Sequence, residues 1–297
     1  MRPDSRRAVR RRDFLRAGAL GAAAAAFGCA PKAKTEPAVL TDEAPTPQPK
    51  VAPPPTFSID LGIQSYSLRN FKFPQVVEMT QQLGLHSIEF FPGHFPANQK
   101  PDQLAAGIAT LKAAGIAVNA YGVCGFSKNE AAARGLFDFA KKVGFGVITA
   151  GPTPDSLDML DKLVEQYDVK IAIHNHGPGD RHWGKLQQLV DGTKDHHANI
   201  GVCLDTGHLE RSGDPPIAAI EALGPRLHSL HLKDLNAQKH DVVVGTGTTD
   251  LVAFFTALKA VEFDGPCALE YEIEPKNPMP GIRKSLAAIR EAVAKIA

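Results

Sequence analysis

Histidine and carboxylate side chains recur at four places in the second half of the chain, each time at or near the end of a short apolar run. His174 ends the run KIAIH, Asp205 ends IGVCLD, His231 lies next to the end of LHSLHL, and Glu270 follows CAL. Two neutral imidazoles and two carboxylates can bind a divalent ion and leave positions open for water and substrate. If the four side chains converge, we predict one metal centre, with Mn²⁺ or Zn²⁺ favoured and Co²⁺ or Fe²⁺ as alternatives.

Each of these residues has a purely structural explanation when it is taken alone. A single histidine at a strand end is more often a hydrogen-bonded structural group than a ligand, and Asp205 could cap the N-terminus of a helix. Lys233-Asp234 could form a solvated turn, and Glu272 could be a surface charge. Four consecutive runs that all end in metal-capable residues favour a shared site over coincidence.

The four runs belong to an alternation of strand-like and helix-like patterns. Short apolar or β-branched runs predict eight strands, at 59–66, 86–91, 115–121, 147–150, 170–174, 200–204, 227–232 and 267–271. Stretches with helical period lie between them, at 74–83, 103–114, 130–143, 155–167, 251–261 and 281–296. Glycines stand where helices should stop, at Gly84, Gly115, Gly144 and Gly224. Strand-then-helix alternation predicts a parallel sheet.

Eight such units over residues 58–297 predict an α/β fold of the closed (β/α)₈ TIM-barrel type. An open, doubly wound sheet is the alternative, but no G-x-G-x-x-G pattern follows the first strand. Functional groups of a barrel lie at the C-terminal ends of its strands, where the four donor residues are found. The same end should receive the other candidate residues: Gln64, Tyr66, Glu89, His176, His208, Arg211 and Lys233.

The N-terminal part has the composition of a targeting segment. Arg11-Arg12-Asp13-Phe14-Leu15 is a twin-arginine pattern, and the alanine-rich run after it is too short to span a bilayer comfortably. We predict a twin-arginine signal peptide over 1–30, recognised by the twin-arginine export machinery, with a disordered basic segment as the alternative. The predicted location is the periplasm or cell envelope.

Two features after the alanine run bear on membrane attachment. Gly28-Cys29 resembles a lipoprotein cleavage box, although Ala26 and Phe27 depart from the usual pattern. Acylation of Cys29 would tether the protein to a membrane through lipid, and the sequence leaves both outcomes open. The segment 31–57 is rich in Pro and lacks apolar periodicity, so we predict a disordered linker ahead of a catalytic domain at 58–297.

Charge and cysteine content exclude other classes of protein. The formal net charge is +1 and no basic stripe is interleaved with aromatic residues, so we predict no nucleic-acid partner. Cys124, Cys203 and Cys267 lie in or beside apolar runs without motif spacing, which indicates small buried hydrophobes rather than disulfides. The sequence leaves a homo-oligomer open.

The segment 58–297 resembles the sugar phosphate isomerase/epimerase family, the xylose isomerase-like barrels. The motifs that carry the resemblance are LGIQSYSLR, HSIEF, IAIHNHG, CLDTGH, HLKD and ALEYE. The resemblance implies a metal held by an acid on the fifth strand, an Asp on the sixth, a His on the seventh and a Glu on the eighth. These positions fall on His174, Asp205, His231 and Glu270, and His208 falls on a substrate contact. The chain departs from the family at His174, where isomerases and epimerases have Glu, and at Thr246 in the Gly245-Thr246-Gly247 loop.

The resemblance implies a metal-dependent sugar isomerase or epimerase that acts through an enediolate. Glu270 is the expected base, and His176, Glu89 or His208 could supply the second acid/base group. His208, Lys233, Gln64, Tyr66 and Arg211 are the expected carbohydrate contacts. Because export removes the protein from sugar phosphates and no basic cluster marks a phosphate pocket, we expect an unphosphorylated sugar or keto-sugar.

Two alternatives follow from the departure at His174. A metal-bound imidazole is a poor second base, so a one-base reaction is the first: a lyase or dehydratase acting on a 3-keto sugar or a 3-keto-glycoside. The second is a catalytically inactive, tethered carbohydrate-binding barrel.

Overall fold

The computed structural model describes residues 57–297. The predicted signal peptide, Cys29 and nearly all of the predicted linker therefore lie outside the described residues. None of the helices within the described range combines the length and apolar character that a membrane span requires.

Eight parallel strands of the described chain close into a barrel in the order β1-β10-β7-β6-β5-β4-β3-β2. A short antiparallel pair, β8 with β9, lies outside it. The closed barrel confirms the predicted TIM-barrel fold, and the open-sheet alternative is wrong. The strand bounds are β1 (Asp60–Gln64), β2 (Ser87–Phe90), β3 (Ala117–Phe126), β4 (Val147–Pro152), β5 (Lys170–His174), β6 (Ile200–Asp205), β7 (Leu227–Leu232), β8 (Asp234–Leu235), β9 (Asp241–Val242) and β10 (Pro266–Leu269).

Helices surround the barrel and connect its strands. Helix α3 begins after Asn129, whose side chain accepts a hydrogen bond from Ala132 N, and ends at Gly144, which has a φ of +95°. This left-handed conformation stops the helix at little steric cost to glycine. The helix bounds are α1 (Phe73–Gln82), α2 (Pro101–Ala114), α3 (Glu130–Val143), α4 (Leu157–Tyr167), α5 (Leu186–Thr193), α6 (Thr206–Arg211), α7 (Pro216–Leu223), α8 (Leu251–Ala260) and α9 (Met279–Ala294), with 3₁₀ turns at Ser65–Leu68, Pro154–Ser156 and Gly224–Arg226.

The core lies on both faces of the barrel strands. Every residue of β6 and of β7 is buried, because side chains alternate between the barrel interior and the helix layer. Cys124, Cys203 and Cys267 are buried and unpaired, which confirms that they act as small hydrophobes. Since the strands are parallel, their C-terminal ends all meet at one mouth of the barrel.

Candidate metal centre

Four side chains converge at the C-terminal mouth of the barrel. His174, Asp205, His231 and Glu270 each offer a donor atom, and these atoms all lie within 4.8 Å of one another. They come from the ends of β5, β6, β7 and β10, four neighbouring strands of the barrel. All four side chains are buried.

The His174 ring is neutral and has unused nitrogens. Its Nε2 atom lies 3.4 Å from Asp205 Oδ2, and neither ring nitrogen has a hydrogen-bond partner. Burial lowers the pKa of His174 to about 3. A neutral imidazole is the form that binds a metal.

Asp205 uses its two carboxylate oxygens for different purposes. Oδ1 accepts a hydrogen bond of 2.7 Å from His208 N and so caps helix α6, while Oδ2 belongs to the central cluster. The Asn175 side chain fixes the backbone of Asp205, because it accepts a hydrogen bond of 2.9 Å from Asp205 N and donates one of 3.0 Å to Asp205 O. The capping explanation is therefore compatible with a ligand role. Asn175 is not among the candidate residues predicted from the sequence, although side-chain alternation points it away from the two flanking histidines.

The His231 ring lies between two carboxylates. Nε2 is 3.0 Å from Glu89 Oε2, and Nδ1 is 3.2 Å from Glu270 Oε2. Glu89 is fully buried behind the ring and is not among the residues that line the cavity. The Glu89 carboxylate is turned to His231, and the expectation that it acts as an acid/base group on the substrate stays a prediction.

Lys233 is a buried ammonium shared by three carboxylates. Its Nζ atom lies 2.9 Å from Asp205 Oδ2, 2.9 Å from Glu270 Oε2 and 2.5 Å from Glu272 Oε1. Although burial alone would lower the pKa of Lys233, the three carboxylates raise it well above its usual range. Burial alone would likewise raise the pKa values of Asp205 and Glu270, but the ammonium beside them holds both well below their usual range. Both carboxylates are therefore ionised, which is the form that binds a cation.

The neighbouring Asp234 is also structural rather than solvated. Its Oδ2 atom accepts hydrogen bonds of 2.9 Å from Gly245 N and Gly247 N, and Oδ1 accepts one from Thr249 N at 3.2 Å. The interpretation of Lys233-Asp234 as a solvated turn is wrong, because both side chains are buried. The Gly245-Thr246-Gly247 loop is a turn docked on Asp234, with Thr246 exposed.

The cluster opens into a cavity of about 330 Å³. Gln64, Tyr66, His176, His208 and Lys233 line it, as expected from the sequence, and Glu270 does too. Sequence reasoning missed several other lining residues because they lack titratable groups or were taken for surface charge: Phe91, Pro92, Gly122, Val123 and Glu272.

The side of the cavity formed by the first two strands is aromatic. Tyr66, 36% exposed, meets Phe91 edge to face at 5.3 Å, and the Arg69 guanidinium lies 4.9 Å from the Tyr66 ring centre. Gln64 is fixed by donating to Gly122 O at 3.3 Å and accepting from Tyr66 N at 3.0 Å.

Imidazoles form another part of the wall. The rings of His174 and His176 are 4.4 Å apart, and His176 Nδ1 lies 3.7 Å from Asp180 Oδ2. Burial lowers the pKa of His208, and its Nδ1 accepts a hydrogen bond of 3.4 Å from Arg211. An accepting Nδ1 leaves the ring proton of a neutral histidine on Nε2.

The structure places Arg211 outside the cavity lining. Its guanidinium forms an ion pair of 2.6 Å with Asp241 and donates to Lys239 O. Arg211 contacts His208, which does line the cavity, and the expectation that Arg211 contacts substrate stays a prediction.

Comparison with known proteins agrees with this architecture. Residues 77–292 match the family described as the Xylose isomerase-like TIM barrel. The chain belongs to this family. Inosose dehydratase from Bacillus thuringiensis (strain Al Hakam) is 28% identical over 158 residues, which cover 46% of this chain and 52% of that protein. The chain thus spans about half the length of the curated relatives it matches.

Solved structures extend the likeness over most of the described chain. An uncharacterized protein from Parabacteroides distasonis has a TM-score of 0.63 and 30% identity, covering 78% of this chain and 98% of that one. A 3-keto-D-glucoside 4-epimerase from E. coli has a TM-score of 0.64 and 17% identity, covering 79% and 100%. At that identity the second likeness concerns the fold alone.

Proposed function

We propose that this protein is a metal-dependent lyase or dehydratase that acts on an unphosphorylated 3-keto sugar or 3-keto-glycoside. The observation that carries the proposal is the one-sided placement of carboxylates around the cavity. Glu270 and Glu272 both follow β10, whereas the wall at β5 carries the imidazoles of His174 and His176. Because β7 and β6 separate β5 from β10, a carboxylate base is available on one side of a bound substrate and imidazole rings face the other.

One base suffices for elimination. Glu270 would take the proton beside the ketone, and the electron pair of that C–H bond would form a C=C bond. The β-substituent would leave with the electrons of its C–O bond and take up the proton from the carboxyl group. The products are an α,β-unsaturated ketone and water or a free alcohol.

The residues present fit a divalent ion. His174, Asp205, His231 and Glu270 would hold it, because they supply two imidazoles and two ionised carboxylates inside a buried site, and both imidazoles have a ring nitrogen without a hydrogen-bond partner. When bound, the ion would polarise the substrate carbonyl and so acidify the adjacent C–H bond. A mixed nitrogen and oxygen set suits Mn²⁺, Zn²⁺, Co²⁺ or Fe²⁺.

The charge of the cavity supports an unphosphorylated substrate. Lys233 is the single cationic residue lining this cavity in residues 57–297, and its ammonium already contacts three carboxylates. No lysine or arginine of this lining is therefore left to pair with a phosphate group. Curated inosose dehydratases among the relatives also act on a substrate whose name carries no phosphate.

Isomerisation or epimerisation is the second candidate, and His176 favours it. Its side chain is 47% exposed, lines the cavity and lies near Asp180, so it could return a proton on the face opposite Glu270. The order of the two candidates reverses the expectation from the sequence, because the carboxylates that line the cavity lie on one side of it and Glu89 is not among them.

A product analysis in D₂O tests the proposal. Protein loaded with Mn²⁺ or Zn²⁺ is incubated with a panel of 3-keto-glycosides, 3-keto sugars and free ketoses, with Glu270→Gln as the control. Elimination gives an enone chromophore and a released alcohol or water, whereas isomerisation or epimerisation gives deuterium in a product of otherwise unchanged composition. Binding without turnover in both proteins would identify the inactive carbohydrate-binding barrel and overturn both enzymatic candidates.

We also propose export through the twin-arginine route. The pattern at Arg11-Arg12 and the alanine run after it support this proposal. Substitution of both arginines by lysine should leave the protein in the cytoplasm, as measured by cell fractionation. Labelling with radioactive palmitate, compared with Cys29→Ser, tests the lipid anchor.

A further inference from the structure

A pair of fully buried side chains lies directly behind the candidate metal centre. The Nε2 atom of His231 is 3.0 Å from Glu89 Oε2, and both side chains are inaccessible to solvent. The two residues are 142 positions apart in the chain, and β1 and β10 separate β2 from β7 around the barrel. Glu89 therefore reaches across the barrel interior to meet the ring.

The other nitrogen of the same ring faces the donor cluster. His231 Nδ1 lies 3.2 Å from Glu270 Oε2 and has no hydrogen-bond partner. A neutral histidine carries one N–H, so a proton on Nε2 directed at Glu89 leaves the lone pair of Nδ1 for a cation. The opposite tautomer would place two acceptors, Nε2 and Glu89 Oε2, against each other, whereas a cation bound between Nδ1 and Glu270 Oε2 removes the same conflict on the other side of the ring.

Neither catalysis nor stability accounts well for Glu89. Its carboxylate is inaccessible to solvent and does not line the cavity. Its second oxygen, Oε1, is buried without a hydrogen-bond partner. A buried charged group with incomplete hydrogen bonding is weak evidence for stabilisation.

We infer that Glu89 is a positioning residue that holds the His231 ring with Nδ1 directed at the metal centre. The inference rests on the proposed metal site. A carboxylate on the second nitrogen of a ligating histidine fixes its tautomer and orientation and raises its basicity, and removal of such a partner typically weakens metal binding about 10- to 100-fold.

The first measurement is the dissociation constant for Zn²⁺, determined by competition with a chromophoric chelator. Glu89→Gln keeps a hydrogen-bond acceptor and loses the charge, so binding should weaken about 10-fold, while Glu89→Leu loses both and should weaken binding about 100-fold. Thr149→Val is the matched control, because Thr149 is fully buried on β4 and its hydroxyl has no partner. It should bind Zn²⁺ as the wild type does. If Glu89→Leu fails to fold, the dissociation constant of Glu89→Gln for Zn²⁺ decides the test.

The second measurement shows which nitrogen of the His231 ring binds the metal and which carries the proton. In Zn²⁺-loaded protein with ¹⁵N-labelled histidine, His231 should show a metal-bound Nδ1 and a protonated Nε2, its signals being assigned by their loss in His231→Gln. Glu89→Leu should lose this pattern.

Three results would overturn the inference. Unchanged Zn²⁺ affinity in both Glu89 variants, with affinity lost in His231→Gln, would reject it and leave the metal site standing. Zn²⁺ bound through Nε2 of His231 would reject it as well. Wild-type protein that binds none of Zn²⁺, Mn²⁺, Co²⁺ and Fe²⁺ would reject both the metal site and the inference.

Discussion

The Nζ atom of Lys233 lies 2.9 Å from Oε2 of Glu270, a residue that also belongs to the four-membered donor cluster. Asp205, a second member of the cluster, is equally close to the same ammonium. A divalent ion and Lys233 would therefore share two carboxylates. With an ion bound, the stability of the barrel would depend on both cations.

Replacement of Lys233 by Met should destabilise the protein most when no divalent ion is supplied. Breaking a buried ion pair by removing one partner typically costs about 3–5 kcal/mol, because the remaining charge is buried without compensation. A divalent ion would compensate Asp205 and Glu270 in its place. We expect the free energy of unfolding in urea to fall by about that amount in EDTA, and by much less with Mn²⁺.

Lys239→Met is the matched control for this experiment. Lys239 pairs with Glu210 at 2.7 Å, but its side chain is 49% exposed, so the change should be below about 1 kcal/mol with or without metal. An equal loss of stability of Lys233→Met in EDTA and in Mn²⁺ would contradict the shared-carboxylate arrangement.

Asp205→Asn should separate the capping role from the ligand role. The asparagine side chain can still accept the hydrogen bond from His208 N, so α6 keeps its cap. The asparagine side chain lacks the negative charge that the binding of a cation requires. We expect metal content, measured by elemental analysis of protein purified without chelator, to fall at least about tenfold.

Asp205→Ala provides the comparison, since it removes both functions. In EDTA it should be about 1 kcal/mol less stable than Asp205→Asn, the usual value of an N-cap. A metal content of Asp205→Asn equal to that of the wild type would exclude Asp205 from the site.

The sequence alone was enough to predict the barrel fold and the convergence of the four donor residues. It was not enough to predict which charged side chains at the strand ends face the cavity and which pair with other residues. Strand ends in a parallel barrel must meet at one mouth, so His174, Asp205, His231 and Glu270 could be grouped from strand order alone. Glu89 occupies an equivalent strand end, and no local pattern distinguishes a carboxylate in the cavity from one turned to a histidine across the barrel. Arg211 and Lys233 likewise have long-range partners that no local pattern shows, Asp241 for the first and three carboxylates for the second.

A buried histidine away from the site should make stability depend on pH. His228, 4% exposed on β7, has its pKa lowered to about 3 by burial, with Lys170 and Arg226 acting in the same direction. The unfolded chain binds a proton near pH 6.5, so between pH 6.5 and pH 3 the unfolded state holds more protons than the folded state. Stability is therefore highest above pH 6.5 and falls as the pH is lowered, by up to about 1.4 kcal/mol per pH unit from this residue.

His228→Leu should remove that part of the pH dependence. The measurement is the free energy of unfolding in urea at pH 7.5, 6.0 and 5.0 (about these values, chosen to bracket the histidine range), all with EDTA. The difference between variant and wild type isolates His228 from the other histidines. A difference that stays constant across the series would show that His228 titrates normally in the folded protein.

The role of His176 decides between the two candidate reactions. If the protein eliminates a β-substituent with Glu270 as its single base, His176→Asn should change the rate of enone formation by less than about threefold. If it epimerises or isomerises, His176 is the group that returns the proton, and general acid–base catalysis of that kind contributes about 10²- to 10⁴-fold. His240→Asn, at an exposed histidine, controls for histidine loss in general and should leave both rates unchanged. The two rates are measured together in D₂O, by enone absorbance and by deuterium in recovered sugar. A large loss of enone formation in His176→Asn would reject the one-base elimination. The leaving oxygen would then receive its proton from His176 and not from Glu270.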